Sequence, residues 1–237
     1  MKKNFFLYFI FLFFNITPAI SQTQLGLKGG LIFLSILKPN PMYDAGTNDY
    51  TNNHPSYFFS FMLRQRNPSW FNMAGELQYT HRLFHVNSVE SSAGGQNTYS
   101  YDISSDYIRI LLQPQFIFGS DIKFFISPGI YFGYMFHSSL TGSIKWIGSW
   151  PPEPTHYVNG SAKDYINTWE FGALLGIGID IPVYKHLILV IEASGTISIP
   201  NIRPNWATYN IRFFEIGLSA GLAYTFPKKK QNDNNSK

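Results

Sequence analysis

The sequence contains no cysteine. That absence excludes disulfides, cysteine-ligated zinc and thiol catalysis, and it removes the attachment residue a bacterial lipoprotein would need. Charge is also scarce. Asp, Glu, Lys and Arg make up 14% of the 237 residues, against about 25% in an ordinary soluble domain, and so few charges cover a water-facing surface poorly. No apolar run is long enough for a membrane-spanning helix, because Phe5 to Phe14 offers about half of the roughly 20 residues needed. Motifs for metal or nucleotide chemistry are missing too, with no H-E-x-x-H, EF-hand loop or P-loop. No cofactor, metal ligand or catalytic residue is therefore assigned, and the chain is read as a non-enzyme. What is abundant is aromatic residues, at 18%.

The first residues read as an export signal. Lys2 and Lys3 form a positive n-region, Phe5 to Phe14 an apolar core, and Ala19-Ile20-Ser21 a small-residue cleavage site. Residues 1–21 are expected to be a signal peptide, 22–226 the folded domain, and 227–237 a basic, disordered tail. Without the two lysines of the signal, the formal charge falls from +4 to +2, and the tail carries +3, so the domain itself sums to −1. A nearly neutral domain argues against a nucleic-acid partner.

Beyond Gln22 the chain alternates with period two in eight segments, the signature of strands with unlike faces. They span 24–36, 55–66, 70–84, 98–118, 122–137, 166–181, 186–197 and 207–226. Tight turns join segments two and three (Arg66-Asn67-Pro68-Ser69), four and five (Gly119-Ser120-Asp121), and six and seven (Pro182 to Lys185). The other connections are read as longer loops, including Lys38 to His54 and Ser138 to Tyr165. An even strand number with short turns at one end and long loops at the other is the layout of an outer-membrane barrel with periplasmic turns and extracellular loops. The expected fold is all-β, an eight-stranded antiparallel up-and-down transmembrane barrel in the bacterial outer membrane.

Alternation alone does not say which face points inward, since a soluble barrel alternates in the opposite sense. The polar face decides it. It carries Gly26, Gly30, Gly129, Gly133, Gly172, Gly176, Gly217 and Gly221 rather than a run of Lys and Glu, and small residues suit the inside of a narrow barrel. Charges on that face balance. Lys28, Arg64, Arg82, Arg109 and Arg212 stand against Glu76, Glu170, Asp180, Glu192 and Glu215. Equal numbers imply internal ion pairs that close a polar lumen, because an unpaired buried charge costs several kcal/mol. Tyr57, Trp70, Tyr134, Trp169, Trp206, Tyr209 and Tyr224 lie near strand ends and supply candidate interfacial girdles.

Two consecutive strands read SDYIRILLQPQFIFG (Ser105 to Gly119) and DIKFFISPGIYFGYMF (Asp121 to Phe136). With LGLKGG (Leu25 to Gly30), GELQY (Gly75 to Tyr79) and IGLSAGLAYTF (Ile216 to Phe226), the chain resembles the PorT-like, porin-family outer-membrane barrels of Bacteroidetes over essentially its whole mature length. The resemblance implies a barrel and a compartment; the family's namesake serves type IX protein secretion and gliding. Gln113 before Pro114, in a stretch that group keeps apolar, and the basic tail Lys228 to Lys237 depart from its pattern.

The candidates for nucleophile and base pairs lie at the rim: His85, His137 and His156, with Ser138, Ser139 and Glu90 nearby in sequence. They read as polar loop residues, His81 as an interfacial histidine, and the interior carboxylates as ion-pair partners. The loop from Ser138 to Tyr165 holds Trp146, Trp150, Pro151, Pro152, Pro154 and Tyr157 and serves either as a binding surface or as a cover over the barrel mouth. The leading functional expectation is a structural or interaction role through extracellular loops, with outer-membrane lipid and a periplasmic or extracellular protein as partners. The alternatives are a narrow small-solute channel and accessory service in a type IX-like secretion system. The basic tail would suit an acidic partner or phosphate groups. Ligand, partner identity and oligomeric state are open from sequence.

Overall fold

A computed structural model describes residues 22–37, 49–51, 56–66, 70–92, 95–148, 155–164, 168–199 and 212–227, with side chains omitted at a few of these. The described residues form ten strands, eight of them long: β1 (Gln22–Leu37), β2 (Asp49–Thr51), β3 (Ser56–Arg66), β4 (Phe71–Ser92), β5 (Gly95–Phe118), β6 (Lys123–Ile147), β7 (His156–Gly160), β8 (Trp169–Tyr184), β9 (Leu187–Ser198) and β10 (Arg212–Thr225). The signal-peptide and tail assignments, Trp206 and Tyr209 lie outside the described residues, as does the side chain of Arg212.

The eight long strands close on themselves. Each pairs antiparallel with two neighbours, and the ring is completed by β1 against β10, with Gly29 opposite Ala220, and by β4 against β5. Closure satisfies the backbone polar groups within the sheet, which a hydrocarbon layer demands. The β3–β4, β5–β6 and β8–β9 turns share one end of the barrel with the start of β1 and the finish of β10. In the β5–β6 turn Gly119 adopts φ +94°, and a Cβ there would fall 2.4 Å from the Ile122 carbonyl oxygen, so only glycine fits.

Alternation sorts the side chains as the sequence implied. Leu27, Leu31, Phe59, Phe61, Leu77, Ile110, Ile130, Leu175, Ile177, Leu218 and Leu222 face outward and are exposed, while Gln24, Lys28, Arg64, Glu76, Arg82, Arg109, Gln113, Glu170, Asp180, Glu192 and Glu215 face inward and are buried. Exposed leucine at 67% (Leu27) beside buried arginine at 0% (Arg82) inverts a soluble protein. It is the arrangement expected where the outer solvent is lipid. Aromatic rings gather at two levels. Near the turn end Trp70 stacks on Phe116 at 5.5 Å, and near the loop end one group links His81, Tyr57, Tyr79 and Phe136 while a second sets Tyr134 against Trp169 at 4.6 Å. From Trp70 to Tyr79 along β4 is nine steps, about 23 Å of height at a 40° tilt, close to the ~25 Å apolar band of such barrels.

Two expectations need correction. The connection between the third and fourth segments is not a loop: β4 and β5 continue as a paired hairpin up to Ser92↔Gly95. β6 likewise runs to Ile147, and the segment after it contributes β7, paired with β6 from Leu140↔Gly160 to Ile144↔His156. β4, β5 and β6 have 22, 24 and 25 residues where the other long strands have 11 to 16, so they rise past the barrel as a fin, extended by β2 and β7. Apolar alternation misses these parts because both faces of a strand beyond the membrane meet water, and residues such as Asn87, Ser100 and Thr98 carry no contrast. The second correction is to the lumen, which is not polar throughout.

Candidate functional site

The lumen is built in tiers. At the turn end, Met62, Phe125, Ile188, Val190 and Ala223 form a buried apolar layer, with Arg64 against it. Arg64 Nη1 donates to Asp180 Oδ2 at 2.6 Å, and its guanidinium lies 5.1 Å from the Phe125 ring centre. Lys28 comes next, donating from Nζ to Glu192 Oε2 at 2.6 Å and standing 2.7 Å from Glu76 Oε1. Lys28 thus forms ion pairs with both Glu192 and Glu76.

The largest tier joins four charges. Arg82 donates to both oxygens of Glu170, at 2.6 and 2.8 Å, and also to Glu215. Arg109 donates to Glu215 Oε2 at 2.9 Å and to Glu170 Oε1 at 2.9 Å, and Thr196 adds its hydroxyl to Glu215 at 2.9 Å. Aromatic faces hold the guanidiniums flat: Arg82 lies 4.5 Å from Tyr107 and 4.9 Å from Phe213, and Arg109 lies 4.9 Å from Tyr131. The Tyr131 ring lies against the neighbouring strand because its cross-strand partner is Gly172, where a Cβ would fall 2.4 Å from the ring. Ten inward charges were expected from sequence, and nine have described side chains; all nine lie in these pairs.

Above the charges the mouth is sealed by Leu34, Phe84, Ile103, Tyr107, Met135, Leu140 and Phe213, joined by Ala162. Ala162 starts a 3-10 turn, Ala162–Asp164, at the end of the long β6–β8 connection, so part of that connection does fold over the mouth. The same connection exposes Tyr157 at 86%. Trp150 to Pro154 lie outside the described residues. Within the charged zone the void against Lys28, Arg109, Gln113 and Glu192 is about 30 Å³, the space of one water molecule rather than a path for solute.

The outer face of the fin carries a different set. His81 Nδ1 lies 2.7 Å from Asp106 Oδ1, which also accepts from the Tyr79 hydroxyl at 2.8 Å, and His81 stacks on Tyr57 at 4.9 Å. That is the interfacial role expected of His81. One turn of the pleat higher, His85 Nδ1 lies 2.6 Å from Asp102 Oδ1, and its Nε2 lies 3.3 Å from Ser100 Oγ and 2.9 Å from Asn87 Oδ1. Sequence reasoning paired His85 with no residue, because Ser100 and Asp102 come to it only through the β4–β5 register His85↔Asp102 and Asn87↔Ser100. The other rim residues do not assemble. Ser138 points inward toward Ser161, His137 points outward at a β-bulge, and His156 opens β7. The side chain of Glu90 lies outside the description. Among the described residues no group of three His, Asp or Glu side chains is placed to hold a metal ion.

A family model described as "Outer membrane protein beta-barrel domain" matches residues 18–203, most of the chain and seven of its eight long strands. The chain belongs to that family. Membership accords with the closed eight-stranded barrel, its apolar exterior and its two aromatic girdles, and it assigns the outer membrane as the compartment. Solved structures to which this chain is similar include Ail of Yersinia pestis (12% identity, 86% of this chain and 99% of that one, TM-score 0.38), OprG of Pseudomonas aeruginosa (10%, 88% and 98%, 0.43) and the Neisserial surface protein NspA (13%, 86% and 97%, 0.38). No curated protein matches.

Proposed function

We propose that this barrel is a closed, non-enzymatic anchor that works by presenting its extracellular fin and loops to a partner. One observation carries the reading: the lumen is sealed at three levels, whereas β4, β5 and β6 extend about ten residues beyond the barrel and hold exposed aromatic and polar side chains in a five-stranded sheet. A narrow channel is disfavoured by the same tiers. The strand motifs shared with PorT-like barrels favour that branch of the family, and with it a periplasmic or surface protein as partner; a signal peptide over residues 1–21 and a periplasmic tail over 227–237 fit this topology.

The absence of cysteine makes the test clean. Thr98→Cys on the fin should react with a membrane-impermeant maleimide in intact cells, whereas Ser120→Cys in the β5–β6 turn should react only after lysis. Labelling of Ser120→Cys in intact cells, or steady single-channel conductance from the purified protein in planar bilayers, would overturn the reading.

A second reading is favoured by the Ser100–His85–Asp102 set, whose order of contacts is that of a nucleophile, a base and an orienting carboxylate. It lies open on the sheet surface, with Asn87 competing for the same histidine nitrogen. Covalent capture of Ser100 by a fluorophosphonate, lost in His85→Ala, would establish a hydrolase; no capture would leave the set as a surface hydrogen-bond cluster.

A further inference from the structure

The turn end of the barrel opens into a cup of about 840 Å³, and here the charge balance kept everywhere above breaks down. Its wall includes Gln22, Arg66, Asn72, Ile117, Lys123, Asp180, Ile188 and Thr225, one residue from each of the eight long strands, and its rim is completed by turn residues such as Asp121, Lys185 and His186. The apolar layer of Met62, Phe125 and Val190 closes it from the lumen. Arg66 stands two residues beyond Arg64 on the same inward face, and Lys123 stands directly across the ladder from Asp180. Asp180 is already held by Arg64. Arg66 and Lys123 both border this recess and repel each other; Asp180 attracts both but gives one of its two oxygens to Arg64, and no described carboxylate lies in salt-bridge contact with either cation. Lys185 and the single carboxylate of Asp121 at the rim leave the cup with a surplus of positive charge.

Two half-buried cations that repel each other are destabilising unless an anion joins them. An arginine fork beside an ammonium is the donor set that grips a carboxylate in two directions. Around it lie Trp70, Ile117, Pro182, Tyr184 and Ile188, an apolar collar suited to the side chains of a short peptide. We propose that the cup is a binding site for the acidic end of a peptide on the periplasmic side, with Arg66 and Lys123 gripping its carboxylates and the collar packing its neighbouring side chains. This site lies at the opposite end of the barrel from the fin and does not depend on the function proposed for it.

The test uses the full mature chain refolded into lipid nanodiscs. A fluorescent pentapeptide ending in Asp-Glu with a free carboxyl terminus is titrated by anisotropy, beside the same peptide with Asn-Gln and an amidated end. The acidic peptide should bind, and Arg66→Gln/Lys123→Gln should weaken it at least tenfold while the barrel still shows heat-modifiable gel migration. Replacing Lys228, Lys229 and Lys230 by Gln should change affinity less than twofold, because the cup rather than the tail is the site. Equal binding of the two peptides, unchanged affinity in the double variant, loss of binding only in the tail variant, or competition by inorganic phosphate at the peptide's own concentration would each overturn the assignment.

Discussion

Arg82→Met is the most informative single change to the lumen. The Arg82 guanidinium is fully buried, donates to Glu170 and Glu215, and lies between the rings of Tyr107 and Phe213. Removing it leaves two buried carboxylates with Arg109 as their remaining cation. Breaking a buried pair in this way costs about 3–5 kcal/mol, and the lost contacts with the rings add roughly 0.5–2 kcal/mol. Reversible urea unfolding in lipid vesicles, followed by tryptophan fluorescence, should show a loss of about 4–6 kcal/mol. Glu170→Gln added to Arg82→Met leaves Arg109 facing Glu215 alone, so the charges balance again. The double variant should recover at least half of the loss. A cost under about 1 kcal/mol for Arg82→Met would place it with exposed ion pairs, and a double variant no better than the single one would mean that packing, not charge balance, holds the tier together. Either result refutes the reasoning.

Two further outcomes follow from the same structure. Leu218→Arg puts a charge on the exposed apolar face of β10 and should cost about 2–4 kcal/mol in vesicles, whereas a soluble barrel would tolerate it within about 0.5 kcal/mol. Gly172→Ala places a methyl group 2.3 Å from the Ile197 carbonyl oxygen and 2.4 Å from the Tyr131 ring, which has the Arg109 guanidinium beside it, so refolding yield, read as the heat-modifiable band on a gel, should fall sharply. A wild-type yield would show that both the β9 backbone and Tyr131 give way.

The parts legible in the sequence are those where one face of a strand meets lipid. Within the bilayer Ile108, Ile110 and Leu112 alternate with Arg109, Leu111 and Gln113, and contrast of that kind fixes both strand and facing. The inward charges were legible for the same reason, but their partners were not. Arg82 meets Glu215 across 133 positions, and only the closed register decides that Arg64 takes Asp180 while Lys28 takes Glu192. Sequence also took the lumen to be polar, whereas Phe58, Phe84, Phe125 and Phe213 occupy inward positions of their strands. An inward phenylalanine breaks the pattern at one residue and reads as noise until its neighbours across the barrel are known. The fin was invisible because water on both faces erases alternation, and with it went the meeting of Ser100, His85 and Asp102.

The inward charges also bear on how the chain would pass the inner membrane. β8 is a long apolar strand, and between Asp164 and Lys185 the only charges are Glu170 and Asp180. Without them residues 165–184 would be an uncharged run of 20, about the length that inserts into a bilayer as a helix. A strand of an outer-membrane barrel must cross the inner membrane without stopping there, so the two carboxylates that pair with Arg82, Arg109 and Arg64 are expected to keep β8 below that threshold. Glu170→Leu/Asp180→Leu should therefore leave full-length protein in the inner membrane. Arg82→Met, which unbalances the same lumen but leaves β8 unchanged, should reach the periplasm and be degraded there. Fractionation of the two membranes separates the cases: if both variants meet the same fate, the carboxylates serve the folded lumen alone.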